Sequence, residues 1–405
     1  MERRTKLFFL VLLLVPCWVI ARKYEVDFVI LHDTMRLLHD GGFGRIYTEN
    51  VGNITVGRYF YPPFSLIVFG LFGTVSFVVA KWIWIALQTL WFVLLWRLLG
   101  EVYPFLKKPE MRWSWLLVWA MSINPIHNNF QSNNIQLMLF AGLLGAELLI
   151  RRGDSRAQFV GGFLSVSPGA IKVYPFFISA YYFVSKPKAV RWGVVAGVLF
   201  TTLTPFLVFG GHNGVVLYES FFTNLIKYGQ SNPILTTVDI ASLPAMMERF
   251  FEYGLKVSAK SSLRIATITV GAIAVVFLGY AFGRRKSIAR DSRDGVHLWV
   301  LAMLLAVLLN SSTRPHYFVF YLPAFCSLCE LIADRKLGRK LGWITTIGVL
   351  ISGALLGLTA EAMVGHQLND RLEAWCLPAM GMVLLAGLLA WALKATQRDS
   401  THYYR

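Results

Sequence analysis

The chain reads as an all-α polytopic membrane protein, and three observations carry that reading. Only 15% of its 405 residues are charged while 56% are apolar, against roughly 25% and about 45–50% in soluble proteins. Apolar runs approach, again and again, the ~18–20 residues a helix needs to cross ~30 Å of hydrocarbon. The net charge of +17 sits in short basic clusters between those runs, as in the cytoplasmic loops of membrane proteins. With a mean hydropathy of +0.55, these features exclude a soluble enzyme, a disordered chain and a disulfide scaffold. Because the basic residues fall in short clusters between apolar runs, as cytoplasmic loops do, nucleic acid is not an expected partner.

The elements follow in order. Glu2-Arg3-Arg4-Thr5-Lys6 precedes an apolar run over 7–21, which resembles a signal peptide; since every later segment is also membranous, it is expected to stay as the first helix, N-terminus inside. Basic clusters then mark the inner side near Arg97 and Lys107, Arg151–Arg156, Lys186–Arg191, Arg284–Arg293, Arg335–Lys340 and Lys394–Arg405. Placing all of them in the cytoplasm needs two spans between neighbouring clusters. Twelve are found, at 7–21, 74–98, 113–124, 134–150, 157–168, 170–184, 192–209, 263–282, 296–310, 316–333, 341–359 and 373–393. Both termini are then cytoplasmic, in a multi-pass protein of the cell membrane. Residues 64–73 are apolar but cannot be a separate span without inverting the rest, so they are expected to be re-entrant or interfacial.

That arrangement leaves 22–62, 125–133, 167–173, 210–260, 311–315 and 360–372 outside. Loops as long as the first and fourth are usually functional or disordered. The stretch Phe28–Leu38 is amphipathic and suits the plane of the membrane surface. Ser165-Val166-Ser167-Pro168-Gly169 is expected to break its apolar run, which is tolerated only where backbone lines a cavity or is covered by protein. The organisation is one integral membrane domain over 1–405: a first helix (1–22), an extracytoplasmic catalytic loop (22–62), a helical core (63–209), an extracytoplasmic loop (210–260) and C-terminal helices (261–405). Cys17, Cys326, Cys329 and Cys376 all lie in or beside apolar segments, so no disulfide framework is implied. Cys326 and Cys329 lack the second pair that a metal site needs.

Six polar clusters fall at one depth under this topology. They are Asp27; Arg58 to Pro63 with Tyr61; Asn124-Pro125 through Gln131-Ser132-Asn133-Asn134; Lys172-Val173-Tyr174-Pro175; Gln230-Ser231-Asn232; and Asn310 to Tyr317, with Arg314 and His316. Each has a plainer reading. Asp27 also suits a helix N-cap, Pro62-Pro63 a helix start, Asn124 and Gln131 interhelical hydrogen bonds, and Arg314 with His316 an interfacial anchor. Lys172 resists the plain reading: a central lysine costs ~2.5–3.5 kcal/mol on insertion scales, so it calls for snorkelling or an anionic partner. Asn53-Ile54-Thr55 and Asn310-Ser311-Ser312 match the glycosylation pattern but sit in turns expected to hug the membrane.

The chemistry these residues suit is group transfer. Asp27 as a carboxylate can take a proton from a hydroxyl. Lys172, Arg314 and His316 can bind a phosphate and stabilise the charge it gains on leaving. An apolar surround suits a lipid-tailed substrate. Together they point to glycosyl transfer from a lipid-linked phosphosugar at the outer leaflet.

At these residues the chain resembles the GT-C superfamily of membrane glycosyltransferases, and within it glycosyltransferase family 87. The resemblance rests on Asp27-Phe28, Arg36-Leu37-Leu38, Gly41-Gly42, Tyr47, Tyr61-Pro62-Pro63, Asn124-Pro125, Gln131-Ser132-Asn133, Lys172-Val173-Tyr174-Pro175 and Arg314-Pro315-His316-Tyr317, in the family's order over about 7–330. It implies a GT-C fold of about twelve transmembrane helices and an inverting transfer, usually of mannose, from a polyprenyl-phosphate sugar to a glycolipid or glycan hydroxyl. Asp27 would be the general base. Charge then assigns Lys172, Arg314 and His316 to the donor phosphate, with Arg58, Tyr61, Asn124, Gln131, Asn133, Tyr174, Gln230 and Asn232 shaping the pocket. Phe130 stands where the family has Gly before its Gln-x-Asn. The second outer loop offers only amides and His127, not the carboxylates a divalent ion prefers, so neither metal nor other cofactor is expected. Two other classes are less well supported. A lipid-linked saccharide transporter or flippase should show inverted repeats and mid-membrane charges; neither is evident. An acyl- or phosphotransferase lacks its His/Asp pair or acidic metal ligands.

Overall fold

The computed structural model describes residues 17–19, 21, 26–49, 59–108, 112–231, 240–286, 292–333, 338–357 and 364–402. All regular elements among them are helical, in the all-α polytopic class that the composition predicts. Most of the first expected span, 7–21, lies outside the described residues, as do Asn53-Ile54-Thr55, Arg58 and Asn232.

The order begins with α1 (Val26–His39) and α2 (Phe64–Phe69), the latter running on as a tighter turn over Gly70–Thr74. Next come α3 (Phe77–Val102), α4 (Arg112–Gln131), α5 (Gln136–Arg151), α6 (Ser155–Ile171), α7 (Phe176–Ser185), α8 (Lys188–Phe209) and α9 (Gly211–Ser231). The remainder is α10 (Leu243–Arg249) with a wide turn Phe250–Gly254, α11 (Ala259–Gly283), α12 (Ser292–Leu308), a tight turn Pro315–Tyr321 leading into α13 (Leu322–Ala333), α14 (Gly338–Gly357), α15 (His366–Ala374) and α16 (Leu377–His402). Five described helical stretches are long and apolar enough to cross a membrane: Phe77–Val102, Lys188–Phe209, Ala259–Gly283, Pro315–Ala333 and Leu377–Ala395. Pro315–Ala333 is the most enclosed of these, whereas α8 and α11 turn residues such as Leu207 and Val275 outward to lipid.

Four expectations need correction. α1 is amphipathic as read, but its apolar face is spent on protein: Phe28, Leu31, Met35 and Leu38 are buried, and Phe28 meets Phe72, Phe77 and Trp84 with ring centroids 5.7–5.8 Å apart. The turn over Gly70–Thr74 comes so close that a Cβ on Gly73 would collide with the Met35 carbonyl. Secondly, α4 runs straight through Asn124-Pro125, which the sequence places in a turn. Proline removes the hydrogen bond to the carbonyl four residues back, here that of Met121, and the Tyr321 hydroxyl donates to that carbonyl at 2.6 Å. Thirdly, Ser165–Gly169 stays helical within α6, and the break lies at 172–175. A residue before proline is pushed out of the helical region, and Tyr174-Pro175 supplies that stop. Fourthly, the expected 210–260 loop is largely helical, as α9 and α10.

The core helices pack closely through small residues, as membrane helices do where hydrophobicity cannot drive association. Along α6 and α8, a Cβ on Gly162 would run into the Val190 carbonyl and one on Gly193 into that of Phe159. Asp154 starts α6 by accepting the Ala157 N–H at 2.7 Å, after Gly153 makes the turn from α5 with φ +83°.

Candidate active site

Asp27 lies in the first turn of α1, half-buried, and its Oδ2 accepts from the Asn134 side-chain amide at 2.5 Å. α1 is secured at its other end as well. His32 Nε2 and the Val75 carbonyl are 3.2 Å apart, and His39 Nε2 is 2.9 Å from the Gly70 carbonyl.

Asn134 belongs to the turn that joins α4 to α5, and buried amides build that turn. Asn133 takes a left-handed φ of +52°, a conformation asparagine tolerates better than most residues. Its side-chain amide donates to the Ala21 carbonyl at 3.1 Å, its Oδ1 accepts from Gln88 at 3.0 Å, and its carbonyl accepts the Trp84 indole N–H at 2.9 Å. Gln88 accepts in turn from Asn129 at 2.8 Å. Asn134 Oδ1 takes the Ile135 backbone N–H at 2.8 Å, which fixes the side chain with its amide toward Asp27. Both asparagines are almost fully buried.

A group of cations and phenols is linked to this acid through Tyr61. The Lys172 ammonium leaves α6 at the break and sits 4.2 Å from the Tyr317 ring centroid and 5.4 Å from that of Tyr61. Among the described residues it makes no ion pair. Tyr174 donates to Gln136 Oε1 at 2.5 Å and lies 5.2 Å from the Tyr317 ring, tying this break to the start of α5. His316 is buried beside Tyr317, with ring centroids 4.9 Å apart, and lies within electrostatic reach of both Lys172 and Arg314. Tyr61 joins the two sides. Burial pushes its phenol well above the usual range, the nearby acid Asp27 pushes it further together with Tyr317 and Tyr59, and Arg314 opposes them. Burial likewise raises Tyr174, aided by Tyr317 and Tyr61. Both phenols therefore remain O–H donors at neutral pH.

The structure thus gathers Asp27, Tyr61, Lys172, Tyr174, Arg314 and His316 from four separate stretches of chain. It does not bring in Asn124, whose amide donates to the Leu356 carbonyl at 3.1 Å and so ties α4 to α14. Asn133 is placed beneath the site, as a brace for the turn. Gln131 ends α4, half-buried. Arg58, Asn232 and the side chain of Gln230 lie outside the described residues. Asn134 and Gln136 are what the sequence reading left out of the site. The signal in the sequence is a run of six amides within nine residues, from Asn128 to Gln136, which does not say which of them reaches the acid.

A carboxylate held by an amide, opposite two cations and among phenolic O–H groups, can deprotonate a hydroxyl on one side while an anionic group is held on the other. The model of glycosyltransferase family 87 matches the chain over residues 59–312, more than half of its length. Curated proteins and solved structures give no match.

Proposed function

Because the chain belongs to glycosyltransferase family 87, we propose that this cluster is the active site of an inverting transfer of a sugar from a polyprenyl-phosphate donor to a lipid or glycan hydroxyl. The sugar is mannose and the site faces the extracytoplasmic side of the cell membrane, with both termini in the cytoplasm. The observation that carries the reading is Tyr61, which stands beside Lys172 and within electrostatic reach of both Asp27 and Arg314. One small region so offers an acid for the incoming hydroxyl and cations for the departing phosphate.

In this reading Asp27 accepts the acceptor hydroxyl's proton as the oxygen attacks the sugar's anomeric carbon. Asn134 holds Oδ2 and so leaves Oδ1 for the substrate. The bond to phosphate breaks on the opposite face, and Lys172, Arg314 and an N–H of His316 take up the charge that the leaving phosphate gains. Tyr61 and Tyr174 offer O–H donors and ring faces to the sugar. The residues around Asp27 are amides, phenols and cations, so transfer is expected to continue in chelator, since hard cations want carboxylate oxygens.

The test is radiolabel transfer from synthetic polyprenyl-phosphomannose and its pentose analogue to membrane lipids, with and without chelator. Wild type should transfer the hexose. Asp27→Asn should abolish transfer while leaving expression and thermal unfolding unchanged. Full turnover in that purified variant would remove Asp27 as the base.

A further inference from the structure

A second feature lies along the outer flank of α5, away from the residues around Asp27. Between α3, α5 and α6 runs a groove of about 430 Å³. Trp91 walls one side, and Leu164, 40% exposed, forms a lip toward lipid. Met138 and Ile171 stand at one end and Arg152 at the other, about 21 Å apart along α5 at 1.5 Å per residue. Its floor is hollowed by Gly142 and Gly145; a Cβ on Gly145 would meet nothing within 4 Å.

Arg152 is the one charged residue in the lining. Its neighbour Arg151 is turned inward, donating to Glu147 at 3.0 Å and to the Val102 carbonyl at 3.0 Å. Asp154, the acid of the α5–α6 turn, is occupied in capping α6. Arg152 makes no ion pair among the described residues and is exposed, so the groove has a cation at its mouth and hydrocarbon along its length. None of Asp27, Tyr61, Lys172, Tyr174, Arg314 and His316 lines it, although its Met138–Ile171 end stops one residue short of Lys172. A phosphate held at Lys172 would lie beyond the Ile171 end of the groove, whereas one held at Arg152 would lie at the opposite end.

We propose that this groove binds an anionic phospholipid, its phosphate at Arg152 and an acyl chain laid along α5 toward Met138. The headgroup then sits in the leaflet opposite the one bordering Lys172. This site is separate from the transfer reaction and does not depend on the assignment of Asp27.

Photolabelling of the purified full chain in nanodiscs tests it, using phosphatidylglycerol and phosphatidylcholine that carry a diazirine on the acyl chain. Phosphatidylglycerol should label peptides over 91–98 and 138–149 several-fold more than phosphatidylcholine. Gly145→Trp should remove that labelling by filling the groove. Arg152→Gln should reduce the headgroup preference about fivefold, the size of one arginine's attraction to an anionic lipid surface, and it serves alone if the tryptophan variant fails to fold. Equal labelling by the two headgroups, labelling unchanged in Gly145→Trp, or an undiminished preference in Arg152→Gln would overturn the proposal. Displacement of the label by polyprenyl phosphate, with no response to phosphatidylglycerol, would overturn it in favour of a donor tail.

Discussion

Replacing Asn134 by Asp isolates the hydrogen bond that orients Asp27. The substitution is isosteric and keeps an oxygen for the Ile135 N–H, so the turn between α4 and α5 should hold. The atom facing Asp27 Oδ2 changes from a donor at 2.5 Å to a second acceptor. A hydrogen bond to a charged group contributes roughly 1.5–3 kcal/mol, and each ~1.4 kcal/mol in a barrier is about tenfold in rate. Transfer should therefore slow by roughly 10- to 150-fold in kcat, with donor KM little changed because the cations lie on the other side. The assay is steady-state transfer from polyprenyl-phosphomannose, with thermal unfolding followed in parallel. Asn134→Ala should fall in the same range with some loss of stability, since it also strips the Ile135 N–H of its partner. Both variants turning over within twofold of wild type would refute Asn134 as the group that positions the base.

Other expectations follow from the same contacts. Lys172→Ala should raise the donor KM by roughly 10- to 100-fold, the loss of a charged contact to phosphate, while acceptor KM stays level; equal changes in both would argue against a phosphate role. Gly193→Ala puts a methyl against the Phe159 carbonyl and should lower stability by about 1–3 kcal/mol, as overpacking does, visible as a lower Tm. Burial pushes the Glu248 carboxyl up to about 7, with Glu252 adding to the rise and Arg249 opposing it. The folded chain then holds a proton that the unfolded chain releases near pH 4.5, so stability should decline as pH rises from about 4.5 to about 7. Glu248→Gln should flatten that decline in thermal scans.

Most of the fold was legible because long apolar runs and clustered arginines leave few alternatives to membrane helices. The site was legible in part for a related reason. Lysine, arginine and aspartate are costly against hydrocarbon, so Asp27, Lys172 and Arg314 stand out from the chain around them. What was not legible depends on partners far along the chain. Nothing near Pro125 says that Tyr321 will satisfy the carbonyl it frees, so a proline that reads as a turn sits inside α4. Nor does anything local separate Asn133, which braces the turn beneath the site, from Asn134, which touches the acid. Identical side chains one residue apart differ because Asn133 adopts the left-handed backbone and turns toward Gln88.

The mounting of α1 bears on how such a protein chooses what it modifies. With His32 and His39 bonded to one short turn and Asp27 bonded at the opposite tip, the rod bearing the acid is held at three points along its length. In the proposed reaction the acceptor would be brought to Asp27 rather than Asp27 to the acceptor. Selectivity among acceptors should then be governed by the shape of the approach, and variants that broaden the range of acceptors are to be sought along that approach rather than in α1.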